Sequence, residues 1–331
     1  MAGEIVSLCE AYESFFPIGS AVSARSIRTH RDLLLKHFSS ITPSNEMKFS
    51  SVHPTESAFQ FLFSDSIADF AQANGMLLRG HVLVWHQQTP QWVFEQADGS
   101  PASRDLLLDR MREHIHTLVS RYRGKAYCWD VLNEAVDDKG TDYLRRTKWL
   151  EIIGPDYIEK AFQYAHDADP DALLFYNDYN EVAPEKRKKI IRLVTELRAK
   201  DVPIHGIGLQ GHWSIHSPSI DAIDEALEEY ASLGLPLQIT ELDISVFSFA
   251  DLRTDLMAPT DEMMKLQAEK YEKVFELFRR YRDVITGVTL WGTADDHSWR
   301  HNFPVRGRRD WPLLFDFDHQ PKESFFRVVN F

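Results

Sequence analysis

The sequence predicts an α/β protein folded as a single (β/α)8 TIM barrel. Three observations carry that prediction. Short apolar runs alternate eight times with longer segments of helical period. No linker, low-complexity tract or internal repeat divides the 331 residues, so one catalytic-sized domain is expected over 1–331. Nearly every apolar run also ends on hydrogen-bonding or indole side chains, as barrel strands do where they open into their βα-loops.

In chain order, the first strand is expected near 16–21 and its helix at 27–38. The second strand, 40–44, precedes a helix at 64–74. The third is 77–84, and its helix, 104–122, places Leu107, Leu108, Met111, Ile115 and Leu118 at apolar spacing. The fourth is 126–133, with a helix over 148–168. The fifth, 172–177, leads to a helix at 184–200, where Pro184 suits the first turn and the Lys/Arg run suits a solvated face. The sixth, 205–210, is followed by 220–233. The seventh, 237–241, is followed by a long amphipathic helix over 261–281. The eighth is 285–291, and 325–329 closes the chain. A doubly wound open sheet would carry a Gly-rich phosphate turn after its first strand, and Ile18-Gly19-Ser20-Ala21 is not one.

A net charge of −13 argues against nucleic acid or an anionic membrane as partner. A neutral ligand fits it better. Eight Trp, several beside polar residues at strand ends, suit a ligand with flat apolar faces and polar edges, such as a sugar; ordinary core filling would use them too. Only Cys9 and Cys128 occur, so a disulfide framework is not expected. Residues 1–16 hold acids and no long apolar run, and no stretch is long enough to span a bilayer. The expected location is the cytoplasm.

The informative residues are those on which strands end. They are Asn45, Glu46 and Lys48 after the second, and His81, Trp85, His86 and Gln88 after the third. Asn133 and Glu134 end the fourth, and Asn177 and Tyr179 the fifth. Gln210 and His212 end the sixth, Glu241 the seventh with Asp243 beyond, and Trp291 the eighth with Trp299 in its loop. Glu134 alone could be a helix-capping acid. A second glutamate ending another strand over a hundred residues later points instead to paired carboxylates. Strands four and seven lie nearly opposite in an eight-strand ring. Their carboxyls would then stand on the order of 5 Å apart, the separation of a retaining glycosidase rather than an inverting one. Glu241, with His212 and Asp243 near it, is expected to stay ionised and act as nucleophile. Glu134, beside Trp85 and Trp129, is expected to be the acid/base, and Asn133 is placed to bind a hydroxyl next to the reacting carbon.

The motifs as a set resemble glycoside hydrolase family ten, the endo-β-1,4-xylanases, over nearly the whole chain. GLPLQITELDI at 234–244 resembles that family's nucleophile signature, and WDVLNEA at 129–135 its acid/base strand. NEMKF at 45–49, GHVLVWHQQTPQW at 80–92, YNDYNE at 176–181, QGHW at 210–213 and LWG at 290–292 follow in family order. The resemblance implies Glu134 as acid/base and Glu241 as nucleophile. It further implies that Asn45, Lys48, His81, Trp85, Asn133, Gln210 and His212 surround the glycone sugars. Trp291 and Trp299 would be glycone platforms with Gln88 nearby, and Tyr179 would stack under the first aglycone sugar. No cofactor is implied, and the substrate would be soluble xylan or xylo-oligosaccharides. Ser44 and Phe49 depart from the family pattern, where Glu and Trp are frequent. The basic loop at 301–309 resembles the intracellular members; whether it closes the aglycone side, meets another subunit or reads an acidic decoration stays open.

Other readings compete. Lys48 could simply pair with Glu46, and His86 could support the site or touch ligand. His81, His86, His205, His212 and His216 could hold zinc, but barrels of that kind usually bring paired histidines on the first strand, and none is there. A cellulase or mannanase is the nearest alternative, and a non-hydrolytic sugar-binding barrel the one from another class.

Overall fold

A computed structural model describes residues 5–331. The chain separates into two compact units, 42–209 and 1–41 with 210–331. Strands β1 to β9 are Ile18–Val22, Ser40–Pro43, Leu77–Val84, Ala126–Asn133, Leu173–Asp178, Gly206–Leu209, His212–Ser214, Leu237–Ser245 and Ile285–Leu290. They alternate with helices in the order that the apolar periodicity predicts for a (β/α)8 barrel. Almost every strand residue is buried, as parallel strands covered by helices must be.

In the unit 42–209, β3 to β6 pair in sequence order, all parallel. The register sets His81 beside Asp130 and Asn133 beside Asn177. Those pairings bring the third, fourth and fifth strand ends to one level. In the other unit, β1 pairs with β9, β9 with β8 and β8 with β7. There His212 lies opposite Asp243.

Four elements differ from the sequence reading. The helix expected at 27–38 is two, Ser26–Thr29 and Arg31–His37, parted at His30. The sixth strand comes in two pieces, interrupted at Gly211, whose φ of 76° is a left-handed conformation that side chains resist. The seventh runs on to Ser245, so Asp243 lies within the strand and not in the loop after it. The helix expected at 148–168 is two helices, Lys148–Ile153 and Tyr157–Ala168. Gly154 at φ 101°, followed by Pro155, ends the first one; the apolar period continues across a break that the backbone cannot.

Trp129 is fully buried and packs toward Tyr122, with ring centroids 6.3 Å apart. Glu134 instead meets Trp85, Asn133 and His86. Phe49, which departs from the family pattern, stacks 3.6 Å from buried His114 and lies near buried Trp149 and half-buried Trp92. Cys9 and Cys128 are both free thiols. Among the described residues no helix is long and apolar enough to cross a membrane.

Candidate active site

Glu134 sits one residue past the end of β4, only 7 % exposed, with φ at 59°. A glutamate gains nothing locally from that left-handed conformation, so the surroundings must hold it there. Its own amide donates to the Asn177 carbonyl at 2.9 Å. The next two amides, Ala135 and Val136, both donate to the Tyr176 hydroxyl at 3.1 Å. The Arg145 Nε donates to the Glu134 carbonyl at 2.9 Å. The backbone is thus tied on both sides of the carboxylate-bearing residue.

Trp85 and Asn133 both donate to that carboxylate. Trp85 Nε1 donates to Oε2 at 2.9 Å and Asn133 Nδ2 to Oε1 at 3.1 Å, while Asn133 itself accepts from Asn177 at 3.0 Å. His86 Nδ1 stands 3.9 Å from Oε2. Burial, reinforced by Arg145 and Lys186, pushes the His86 imidazole down to about 4, so it is neutral at pH 7.

Around these lie the other predicted residues of the unit. Asn45 Oδ1 accepts from Lys48 Nζ and from Gln88 Nε2, each at 3.2 Å. Lys48 also lies 4.8 Å from the Trp85 ring centroid. His81 is held at Nδ1 by Asp130, 2.8 Å away, and Asp130 is in turn paired with Arg79, all three buried. The Tyr179 hydroxyl donates to Asp138 at 2.7 Å and accepts from Arg145 at 2.8 Å.

In the other unit, Glu241 is 5 % exposed and its amide donates to the Gln210 carbonyl at 2.8 Å. His212 bridges two acids, with Nε2 at 3.1 Å from Glu241 Oε2 and Nδ1 at 3.0 Å from Asp243 Oδ2. Burial disfavours a charged imidazole, but Asp243 and then Glu241 outweigh it, and His212 is pushed up to about 9. Burial would likewise raise Asp243, yet the Arg300 guanidinium and His212 hold it down to about 2. Arg300 reaches Asp243 Oδ1 through Nε at 3.0 Å and Nη2 at 2.7 Å, while Trp299 Nε1 donates to Oδ2 at 2.7 Å. The Trp299 ring lies 4.7 Å from His212 and stacks on Phe303 at 4.9 Å; Trp291 meets His212 edge-on at 6.3 Å.

The chain matches the model of Glycosyl hydrolase family 10 over residues 7–331. It belongs to that family. Endo-1,4-beta-xylanase B of Paenibacillus barcinonensis is 53 % identical over 330 residues, covering 100 % of this chain and 99 % of that protein. An endo-1,4-beta-xylanase of Geobacillus stearothermophilus is 54 % identical over 332 residues, with full coverage of both. Among solved structures, xylanase XynB from Paenibacillus barcinonensis in complex with a conduramine derivative superposes with a TM-score of 0.98 at 53 % identity, covering 99 % of each chain. A glutamate-to-alanine mutant solved in complex with xylotriose gives 0.97 at 52 % identity, over 99 % of this chain and all of that one. The family 10 fold is therefore the fold of this chain, a single (β/α)8 barrel.

In this family 10 chain contacts join Asn45, Lys48, Gln88, Trp85, Asn133 and Glu134, Tyr179 follows through Arg145, and His81 is held by Asp130. Gln210, His212, Glu241, Asp243, Trp291 and Trp299 gather likewise in the second unit. The sequence reading missed Arg300 as the counter-charge of Asp243; its only local signal was a cation next to Trp299. It missed Asp130 and Arg79 behind His81, and Arg145 and Asp138 behind Tyr179, because those partners stand far away in sequence. The basic loop is also less basic at its surface than its composition suggests. Arg308 is buried over the Phe247 ring at 4.1 Å and donates to the Asp251 carbonyl, leaving Arg306 and Arg309 exposed.

Proposed function

We infer that this chain is a retaining endo-1,4-β-xylanase that cleaves soluble xylan and xylo-oligosaccharides, with Glu241 as nucleophile and Glu134 as general acid/base. One contrast carries the assignment of roles. Glu241 is accompanied by an imidazole held protonated, whereas the imidazole near Glu134 is neutral at pH 7. A carboxylate beside a cation stays ionised and ready to attack. A carboxyl that accepts from an indole N–H and an amide N–H can take up a proton and give it away again.

The reaction then runs in two displacements. Ionised Glu241 attacks the anomeric carbon while the glycosidic C–O bond breaks, and Glu134 delivers its proton to the departing oxygen. A covalent xylosyl ester on Glu241 remains. Glu134, now a carboxylate, takes a proton from water as the water oxygen attacks the same carbon and displaces Glu241. Two inversions give net retention. The xylanase names of relatives more than 50 % identical over their full length support the substrate. Free cysteines are consistent with action in the cytoplasm, which we propose as its location; cell fractionation should find the activity in the cytosol.

The deciding experiment uses an aryl xylobioside with a good leaving group. Glu241→Ala should abolish turnover, and Glu134→Ala should be restored by azide with formation of the β-azide. Unchanged activity in either variant, or no rescue, would overturn the assignment. Rates on matched aryl cellobiosides and mannosides should be far lower.

A further inference from the structure

Three ligand-type side chains that the reaction does not use come together in the unit formed by 1–41 and 210–331. His30 closes the short helix Ser26–Thr29 and opens the next, Arg31–His37. Asp296 lies in the turn Asp295–His297, and His319 in the turn before the last helix. Each Asp296 oxygen serves a different imidazole, with His30 Nε2 at 2.9 Å from Oδ1 and His319 Nε2 at 3.4 Å from Oδ2. The three ligand atoms all lie within 4.8 Å of one another, and the two rings are 4.4 Å apart.

We propose that His30, Asp296 and His319 form a binding site for a divalent transition-metal ion, Zn²⁺ being the best match, that clamps the segment leading to Trp299. Two imidazole nitrogens and one carboxylate oxygen are the ligand set such ions take. Ligands about 2.0–2.1 Å from a tetrahedral ion stand roughly 3.3–3.5 Å apart, so small side-chain rotations suffice to close this cluster. His30 is already oriented to coordinate. Its Nε2–H now donates to Asp296 Oδ1 at 2.9 Å, and Thr29 Oγ1, 2.9 Å from Nδ1, offers an acceptor for the ring proton once an ion takes Nε2. His30 is buried while Asp296 and His319 are about one-third exposed, which gives an ion a route in and leaves room for a water ligand.

The backbone under the site is anchored as well. Asp295, next to Asp296, accepts from the Leu313 amide at 2.8 Å and Lys322 Nζ at 3.0 Å. His319 holds a left-handed φ of 62°, a conformation in which histidine is enriched among non-glycine residues. An ion here would join the first βα-loop, the eighth and the C-terminal turn. Trp299, whose indole bonds Asp243, follows Asp296 by three positions.

The test titrates ZnCl₂ into the full-length, chelator-treated protein by calorimetry, with Co²⁺ absorption as a second readout. The expected result is one ion per chain at micromolar affinity, imidazole-type Co²⁺ bands, and a Tm raised by about 2–5 °C in excess Zn²⁺ and reversed by EDTA. His30→Ala and His319→Asn should abolish all three, while His216→Ala, at an exposed histidine outside the cluster, should not. Asn tolerates the left-handed backbone at 319, so that variant answers even if His30→Ala fails to fold. Absence of saturable binding, or binding that survives His319→Asn, overturns the proposal.

Discussion

His212 Nε2 lies 3.1 Å from the Oε2 of Glu241, and the two act as one electrostatic unit. The imidazole is 14 % exposed at its side chain, and its other nitrogen is occupied by Asp243. It therefore keeps its proton at a pH where a free histidine would not, and it places that charge beside the carboxylate proposed as nucleophile.

Replacing His212 by Asn should lower kcat by about 10–100-fold on xylo-oligosaccharides, the range expected from losing a hydrogen bond between charged groups. The stability consequence has a definite sign. The folded imidazole titrates at about 9 against 6.5 unfolded, so its contribution is complete below about 6.5 and is lost as pH rises through 9. Denaturation at pH 6 and pH 9.5 should show the wild-type advantage over the variant shrinking. A difference independent of pH would contradict a protonated His212.

Asp243 shows the opposite slope. Its carboxyl is depressed from 3.8 to about 2, so it stabilises the fold above 3.8 and that contribution disappears as pH falls through 2. Asp243→Asn takes the counter-charge from buried Arg300 and leaves His212 only Glu241 to pair with. It should cost about 3–5 kcal/mol at pH 7, read by chemical denaturation. Activity should fall as well, since Trp299 and His212 both lose their anchor.

Trp85→Phe keeps an aromatic face for sugar but removes the indole N–H from Glu134. That bond favours the ionised carboxylate over the acid. Without it the alkaline limb of kcat/KM should move to higher pH, while kcat/KM at the optimum falls roughly 10-fold. An unmoved limb would mean that the indole only packs there.

Arg145 binds the Glu134 carbonyl, Asp138 and the Tyr179 hydroxyl with one planar fork. Arg145→Lys cannot reproduce that fork, so it should behave nearly like Arg145→Ala. Both should raise KM for xylotetraose and longer substrates several-fold, with a smaller effect on aryl xylobiosides. Equal losses on both substrates would place Arg145 outside aglycone binding.

Much of this molecule is legible in its residues alone. The strands 77–84 and 126–133 run where the apolar pattern puts them, because a strand buried on both faces must be apolar nearly throughout. Polar groups at strand ends stand out because a buried strand rarely finishes on an acid. Interruptions are harder to see. Gly154 divides a helix whose apolar period runs on unbroken, and Gly211 splits the sixth strand, since a periodic signal averages over single backbone reversals.

The β–α alternation, the two strand-end glutamates and the run of motifs around them can all be read from the residues, because they are local patterns set by burial and turn chemistry. The partners that set the charge of Asp243 and Asp130 appear only once the chain is folded. Arg300 meets Asp243 across 57 positions, Arg79 meets Asp130 across 51, and Arg308 turns inward over Phe247. Protonation depends on what lies within a few ångströms in space, and no spacing along the chain encodes that distance.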